Sequence, residues 1–338
     1  MSKFLTIIIP TYNMQDYLER CLDSLIVPPL FRGSLEVLVI NDGSKDNSSG
    51  IAHSYENRYP GVFRVIDKKN GQYGSCVNRG LAEATGKYVK ILDADDWFDT
   101  KGLIEFIGYL ISLKEDVDLI LTDYKVVKDS GEDLGIVRQN NLPQGEVFDF
   151  NRRIVTHYPM YMVTYRLELL RSIGYRQTEG IFYTDAEWAN CPLYSVQRCV
   201  YYSCLVYTYL KGRAGQSTDS SVIVEKIGQL ERVTKSLVEN RNHFDLQNCP
   251  MADDHNVHAI SILTATIFRI LLVTKTPSAK DFSFLDEFDL YLKNNCLEAW
   301  REVEHAIIKK RLPIKYIAYW RKNRKVHPLV SIINKCLR

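Results

Sequence analysis

Apolar and polar positions along the first 125 residues follow two alternating periods. Phe4–Pro10 (FLTIIIP) and Leu35–Ile40 (LEVLVI) are continuous apolar runs, the pattern of strands buried on both faces. Val62–Asp67, Tyr88–Asp93 and Val117–Thr122 read as further strands. Between them the apolar spacing changes to three and four residues. Tyr17, Leu18, Cys21, Leu22, Leu25 and Ile26 share one face of a helix over Gln15–Ile26. More helices are expected near Ser48–Tyr59, over Gly74–Ala84 with Gly86 as its stop, and near Lys101–Leu113. This alternation predicts an α/β fold with a mostly parallel, doubly wound sheet and right-handed crossovers. Residues 126–215 are less regular and rich in Tyr, and 222–338 read as mostly helical, punctuated by Pro313 and Pro328. Ala259–Val273 is the nearest approach to a membrane span. Arg269 breaks it, it falls short of the ~18–20 apolar residues a bilayer needs, and its spacing is that of a core helix.

Composition adds two constraints. With 338 residues, 46% of them hydrophobic, and a net charge of +2, the chain is an ordinary globular protein. It has no overall charge with which to attract nucleic acid. The charge is unevenly spread: from His305 to Arg338 six Lys and four Arg stand without an acid, leaving 33 basic against 41 acidic residues elsewhere. In that tail Lys309, Lys310, Arg311, Lys315, Arg321, Lys322, Arg324 and Lys325 interleave with Ile307, Ile308, Leu312, Ile314, Tyr316, Ile317, Tyr319 and Trp320. Such a pattern suits an interfacial helix on anionic lipid, or a solvated cationic face over a packed stripe. The eight cysteines form no C-x-x-C pair, and Met1-Ser2-Lys3 leads straight into a strand-like run, so no cleavable leader is expected. A reduced cytoplasmic chain is expected, with the inner membrane face a possible station for the tail.

In doubly wound sheets, ligands bind beyond the carboxyl ends of the strands. Three of these ends carry unusual polar groups: Thr11-Tyr12-Asn13, Asn41-Asp42-Gly43-Ser44 and Asp93-Ala94-Asp95-Asp96. The last places three carboxylates within four residues. Two like charges about 4 Å apart repel by about 4 kcal/mol at an effective dielectric near 20. Only Lys90 and Lys101 stand nearby in sequence to neutralise them. A helix N-cap needs one Asp, not three. A hard divalent cation, Mg²⁺ or Mn²⁺, turns the repulsion into ligation. Asp42 could accept from a nucleobase N–H, or simply end a strand. Lys69-Asn70-Gly71-Gln72-Tyr73-Gly74-Ser75 is a glycine-bearing loop that could approach a sugar or phosphate, and it lacks a P-loop signature. The tyrosines at 158, 161, 165, 201, 202, 207 and 209 read as core or subunit surface before they read as a sugar platform.

Ile7 to Asn13, Val39 to Asp46 and Gly86 to Trp97, in this order and spacing, resemble glycosyltransferase family 2. The resemblance is strong over about the first 125 residues. It resumes at Phe182 to Trp188 and at Tyr207 to Ser217, and fades beyond about residue 220. It implies a GT-A fold: residues 1–125 as the nucleotide-sugar-binding half, 126–220 as the acceptor and catalytic-base half, and 221–338 as a helical region with a basic tail. It further implies an inverting, metal-dependent transferase that uses a nucleotide-sugar, usually UDP-linked, and Mn²⁺ or Mg²⁺. The acceptor is a saccharide or lipid-linked hydroxyl, in cell-surface polysaccharide synthesis. By position, Asp42 would bind the uracil, with Pro10, Thr11 and Tyr12 lining its pocket. Asp93 and Asp95 fill the D-x-D places, and Asp95 with Asp96 would hold the metal. Asp185 falls where the family places its catalytic base. Lys211, Arg213 and Gln216 fall where members close over the diphosphate or acceptor, and Lys69 is a further candidate donor contact. Two positions depart from the pattern. Asn41 replaces the first Asp of Asp-Asp-Gly-Ser. Thr184-Asp185 followed by Glu187 replaces Glu-Asp, leaving Glu187 a rival base. On a strand, 185 and 187 point the same way; at a helix start they diverge. A homodimer is a further possible partnership, and a non-catalytic nucleotide-sugar or glycan-binding module is the alternative reading.

Overall fold

The two leading apolar runs become adjacent strands in which every residue is buried: β1 (Leu5–Thr11) and β2 (Leu35–Asn41), paired in parallel from Leu5 opposite Leu35 to Thr11 opposite Asn41. A computed structural model describes residues 3–213, 215, 216, 220–308 and 313–330. Ser217, Lys309, Lys310, Arg311, Leu312 and Cys336 lie outside the described residues. The chain divides into two compact units, Met1–Ala214 and Gly215–Arg338.

In the first unit β3 (Phe63–Asp67) and β4 (Tyr88–Ile91) flank β2 and β1, both in parallel. Helices α1 (Gln15–Asp23), α3 (Ser48–Arg58), α4 (Gln72–Glu83) and α5 (Thr100–Ser112) alternate with these strands, with the short α2 (Pro29–Arg32) before β2. The expected stop at Gly86 has another cause. Helix α4 ends at Glu83 because Ala84 is already extended. A Cβ on Gly86 would come within 2.7 Å of the Thr6 nitrogen, so this glycine lets the chain pass close to β1.

The second half of the sheet is mixed. Two-residue β5 (Trp97–Phe98), β6 (Leu119–Lys128), β7 (Asp133–Val137), β8 (Val147–Asp149), β9 (Val163–Arg166) and β10 (Arg198–Lys211) complete it. The order is β3-β2-β1-β4-β9-β6-β10-β5, with β7 on β6 and β8 on β10. Strand β9 lies antiparallel between β4 and β6, so the parallel run ends there. The irregular region 126–215 thus holds a fourteen-residue strand, β10, which runs parallel to β6 with bulges between Tyr202 and Tyr207. Two short helices, α6 (Leu167–Ser172) and α7 (Asp185–Asn190), connect β9 to it.

The second unit contains α8 (Ser220–Glu225), α9 (Ile227–Arg241), α10 (Pro250–Arg269), α11 (Ala279–Asn295), α12 (Leu297–Glu302) and α13 (Tyr316–Asn323). Helix α10 continues through a π-helical turn to Thr274. These 25 residues contain an 18-residue window of mean hydropathy 1.9, long and apolar enough to cross a membrane, contrary to the count from sequence. Their surroundings are those of a core helix: α9, α12 and α13 pack on α10, burying Ile260, Ile267 and Phe268. The tail's apolar stripe is spent in the same core. Tyr316, Ile317 and Trp320 are buried, and the Tyr316 hydroxyl donates to the Ala265 carbonyl. Arg321 donates to Asp289 and to the Trp300 carbonyl. An interfacial helix over these residues would therefore lack an apolar face, and the packed stripe is what the described part of the tail shows.

Candidate functional site

The loops at the carboxyl ends of β1, β2, β3 and β4 converge on one rim. Pro10 and Thr11 are buried at the end of β1, and the Thr11 hydroxyl donates to the Ile9 carbonyl. Tyr12, 44% exposed, projects from the rim. Asn13, at φ 53°, ties this loop to the next: its N–H donates to Ser44 Oγ and its side-chain oxygen accepts from the Lys45 N–H.

Asp42 sits in a ready-made cradle. Its Oδ1 accepts from Lys68 Nζ at 2.5 Å and from the Gly71 N–H at 2.9 Å. Its Oδ2 accepts from the Gln72 N–H at 2.9 Å. Two consecutive N–H groups converge on one carboxylate across Gly71, at φ −141° and ψ 13°, and Gln72 follows at φ 68°, a costly conformation for a non-glycine residue. Lys68, not its neighbour Lys69, turns inward; Lys69 is exposed. Nothing in a pair of adjacent lysines says which one turns, and Lys68 was missed for that reason. The departure at Asn41 also has a partner: its amide donates to Asp67 Oδ1 at 2.6 Å and its oxygen accepts from the Ser44 N–H. An Asp at 41 would set two carboxylates against each other there.

The acid triplet forms a true cluster, with oxygens of Asp93, Asp95 and Asp96 all within 4.8 Å of one another. Each acid has a partner from a distant element. Asp93 Oδ1 accepts from the Tyr73 hydroxyl at 2.7 Å. Asp96, almost fully buried, accepts from the Tyr207 hydroxyl at 2.6 Å and the Leu210 N–H at 2.7 Å. Tyr207 also accepts from the Asp93 N–H at 3.2 Å, so β10 holds two members of the cluster at once. Asp95 Oδ2 accepts from Arg213 Nε at 2.9 Å. Burial, then the Asp95 charge, pushes the Asp93 carboxyl up to about 7, and burial with its two neighbours raises Asp96 as well. The nearby cations in sequence do not relieve this. Lys90 is fully buried on β4 and donates to the carbonyls of Tyr161 and Val163, and burial lowers its ammonium to about 7. Lys101 is exposed on α5. The compensating charge is Arg213, 118 residues beyond Asp95.

A fourth carboxylate stands near. Asp185 opens α7, directly after Tyr183 at φ 66° and the buried Thr184. Its side chain is exposed to solvent, but the surrounding walls are dense enough for burial to raise its pKa, with Glu187 adding to the rise. Its charge in turn acts on Asp93 and Tyr73. Glu187 is different. It is buried, and its two oxygens accept from the N–H and the hydroxyl of Thr178, each at 2.7 Å. That pins the 177–180 loop against α4, where a Cβ on Gly74 would fall 2.2 Å from the Thr178 carbonyl oxygen. The segment is a helix start, so the two acids diverge. Tyr161 walls the same recess, stacked on Tyr209 at 4.6 Å and tilted against Tyr207 at 4.9 Å, and it feels the charges of Asp96, Asp93 and Asp185. Lys211 is exposed at the end of β10. Gln216 belongs to the second unit.

A sequence model of glycosyl transferase family 2 matches residues 6–174. The chain is 29% identical over 214 residues to an uncharacterised glycosyltransferase of Escherichia coli K12, YibD, covering 61% of this chain and 60% of that one. It thus spans less than two thirds of the first curated relatives it matches. Among solved structures it resembles residues 1–349 of Staphylococcus aureus TarS in complex with UDP, at a TM-score of 0.63 and 16% identity over 96% of this chain and 88% of that one. It also resembles the mannosyltransferase PcManGT of Pyrobaculum calidifontis in complex with GDP-Man and Mn²⁺, at a TM-score of 0.53 and 15% identity over 89% and 85%.

Proposed function

The chain belongs to glycosyltransferase family 2, and from that premise we propose that it moves a sugar, with inversion, from a UDP-linked donor to a hydroxyl of a saccharide or lipid-linked acceptor. The observation that carries this reading is the crowding of Asp93, Asp95 and Asp96 beside a fourth, solvent-reaching carboxylate, Asp185. The oxygen-only donor set fits Mg²⁺ or Mn²⁺; burial, then the neighbouring acids, raises Asp93 and Asp96, and a cation there would favour their ionised forms. Asp95 and Asp96 would hold the ion, Asp96 through the lone pairs that Tyr207 and Leu210 leave. When bound, the cation supplies Lewis-acid stabilisation of the departing diphosphate. The complexes of TarS with UDP and of PcManGT with GDP-Man and Mn²⁺ support a nucleotide donor and a divalent ion.

The residues divide the work. Asp42 Oδ1 is filled by two donors, which leaves its Oδ2 with room for one more, the imide N–H of uracil. Pro10, Thr11 and Tyr12 line the base pocket. Asp93 orients the ribose while Tyr73 holds it. Arg213 and Lys211 bind the diphosphate, Arg213 through its two-pronged guanidinium, and Lys69 stands at the rim of the donor site. Asp185 takes the proton from the acceptor hydroxyl as the new C–O bond forms. Its raised pKa makes it a stronger base than a free Asp. A single base and one displacement invert the anomeric centre. Glu187 holds the loop and takes no proton. The test is a panel of UDP-glucose, UDP-galactose, UDP-N-acetylglucosamine and GDP-mannose with Mn²⁺, read by mass spectrometry for released nucleoside diphosphate. UDP release from at least one UDP-sugar is expected, and release from GDP-mannose alone would overturn the UDP assignment.

A further inference from the structure

Arg213 has two claims on it. Its Nε donates to Asp95 Oδ2 at 2.9 Å in a mostly enclosed pair, with side-chain exposures of 15% and 11%. Its guanidinium carbon lies 5.1 Å from the centre of the Tyr17 ring, and its charge also acts on Asp93. The same guanidinium is the diphosphate ligand in the reading above, and the same carboxylate is one of the cation's ligands. The two pairings oppose each other, since a guanidinium and a divalent cation sharing Asp95 would repel. A second guanidinium separates the moving part from the fixed part. Arg20 lies 3.9 Å over the Trp97 ring and its Nη2 donates to the Asp95 carbonyl at 2.9 Å, which anchors the Asp95 backbone whatever Arg213 does.

We propose that Arg213 is the resident counter-cation of the acid cluster and exchanges partners when the donor arrives. This rests on the metal and donor assignments proposed above. In the empty protein Arg213 neutralises Asp95 and keeps free divalent ions out. When cation and diphosphate arrive together, the guanidinium transfers from the carboxylate to the diphosphate, with Tyr17 beneath it as a perch. A free ion entering alone would meet the guanidinium's charge beside Asp95 and Asp93, whereas an ion arriving with the diphosphate brings the anion that draws the guanidinium away. Cation and nucleotide therefore bind with strong positive coupling, which is reciprocal by linkage.

The test is calorimetric titration of the full chain with Mn²⁺, with and without UDP, for the parent protein, Arg213→Gln and Arg213→Lys. Arg213→Gln should raise the affinity for Mn²⁺ alone by tenfold or more and weaken UDP binding in the presence of Mn²⁺. Arg213→Lys keeps the charge and should bind Mn²⁺ alone as weakly as the parent. An unchanged or weaker Mn²⁺ affinity in Arg213→Gln would overturn the exchange, as would a lysine variant that behaves like the glutamine one. If UDP binds the parent equally with and without Mn²⁺, and Asp95→Ala leaves Mn²⁺ binding unaltered, the metal assignment itself fails, and the exchange with it.

Discussion

Asp185 and Glu187 stand two residues apart, and the structure gives them opposite duties that two isosteric substitutions separate. Asp185→Asn removes a base exposed to the recess and none of the side-chain bonds described above. A lost general base lowers turnover by about 10²–10⁴-fold, or about 3–5 kcal/mol in the barrier. The cost to stability is small, since a carboxylate in the first helical turn contributes about 0.3–1 kcal/mol and here its burial already opposes ionisation. Glu187→Gln should do the reverse. The amide can still accept from the Thr178 N–H and, with the hydroxyl turned, donate to Thr178 Oγ1. Two bonds to a charged group, about 1.5–3 kcal/mol each, become two neutral ones of about 0.5–1.5 kcal/mol. The expected loss is about 2 kcal/mol, a fall in Tm of several degrees, with turnover kept within a few-fold. UDP release from the donor chosen by the panel, alongside thermal denaturation, reads both. If Glu187→Gln lost turnover by orders of magnitude at unchanged Tm while Asp185→Asn stayed active, the base would be misassigned.

Two further outcomes follow from the cluster. Tyr207→Phe removes the hydroxyl that donates to Asp96 and accepts from the Asp93 N–H, and should lower stability by about 2–4 kcal/mol in urea denaturation; a change below about 0.5 kcal/mol would contradict the role given to β10. Burial, then the Asp95 charge, pushes the Asp93 carboxyl up to about 7 from its ordinary 3.8, so its protonated form favours folding. That contribution is present below about pH 4 and disappears as pH rises to about 7, a span worth up to about 4 kcal/mol. Lys90 stays protonated in both states across most of this window, so its contribution there is flat. Metal-free stability should therefore decline more steeply from pH 4.5 to 7 in the parent than in Asp93→Asn, and Mn²⁺ should restore it at pH 7 but not at pH 4.5. Parallel curves for the two proteins would refute the burial of that charge.

What was legible in the sequence was local. Apolar runs such as LEVLVI are strands because nothing else buries six successive residues on both faces, and the triplet of acids after β4 reads as a cluster by its own repulsion. What was not legible depends on contacts across the chain. The cation beside Asp95 is not Lys90, three residues before Asp93, because strand alternation carries that side chain away to the carbonyls of Tyr161 and Val163. It is Arg213, and only the long pairing of β10 with β6 brings it there. Tyr207 and Tyr161 looked like core residues and are packed as such, yet they also fix and wall the acid site. Asp185 and Glu187 could not be told apart until α7 fixed the helical geometry. The tail was ambiguous because an amphipathic stripe suits a membrane and a protein core equally, and among the described residues Tyr316 and Trp320 pack in the core of the second unit.

The measurement closest to the heart of the account is the affinity of the intact chain for UDP at pH 7.5, with Mn²⁺ and with the ion chelated, in the parent and in Asp95→Ala. Binding at least tenfold tighter with Mn²⁺ in the parent, and insensitive to Mn²⁺ in Asp95→Ala, is the predicted result. Equal affinity for UDP with and without the ion in the parent would contradict it.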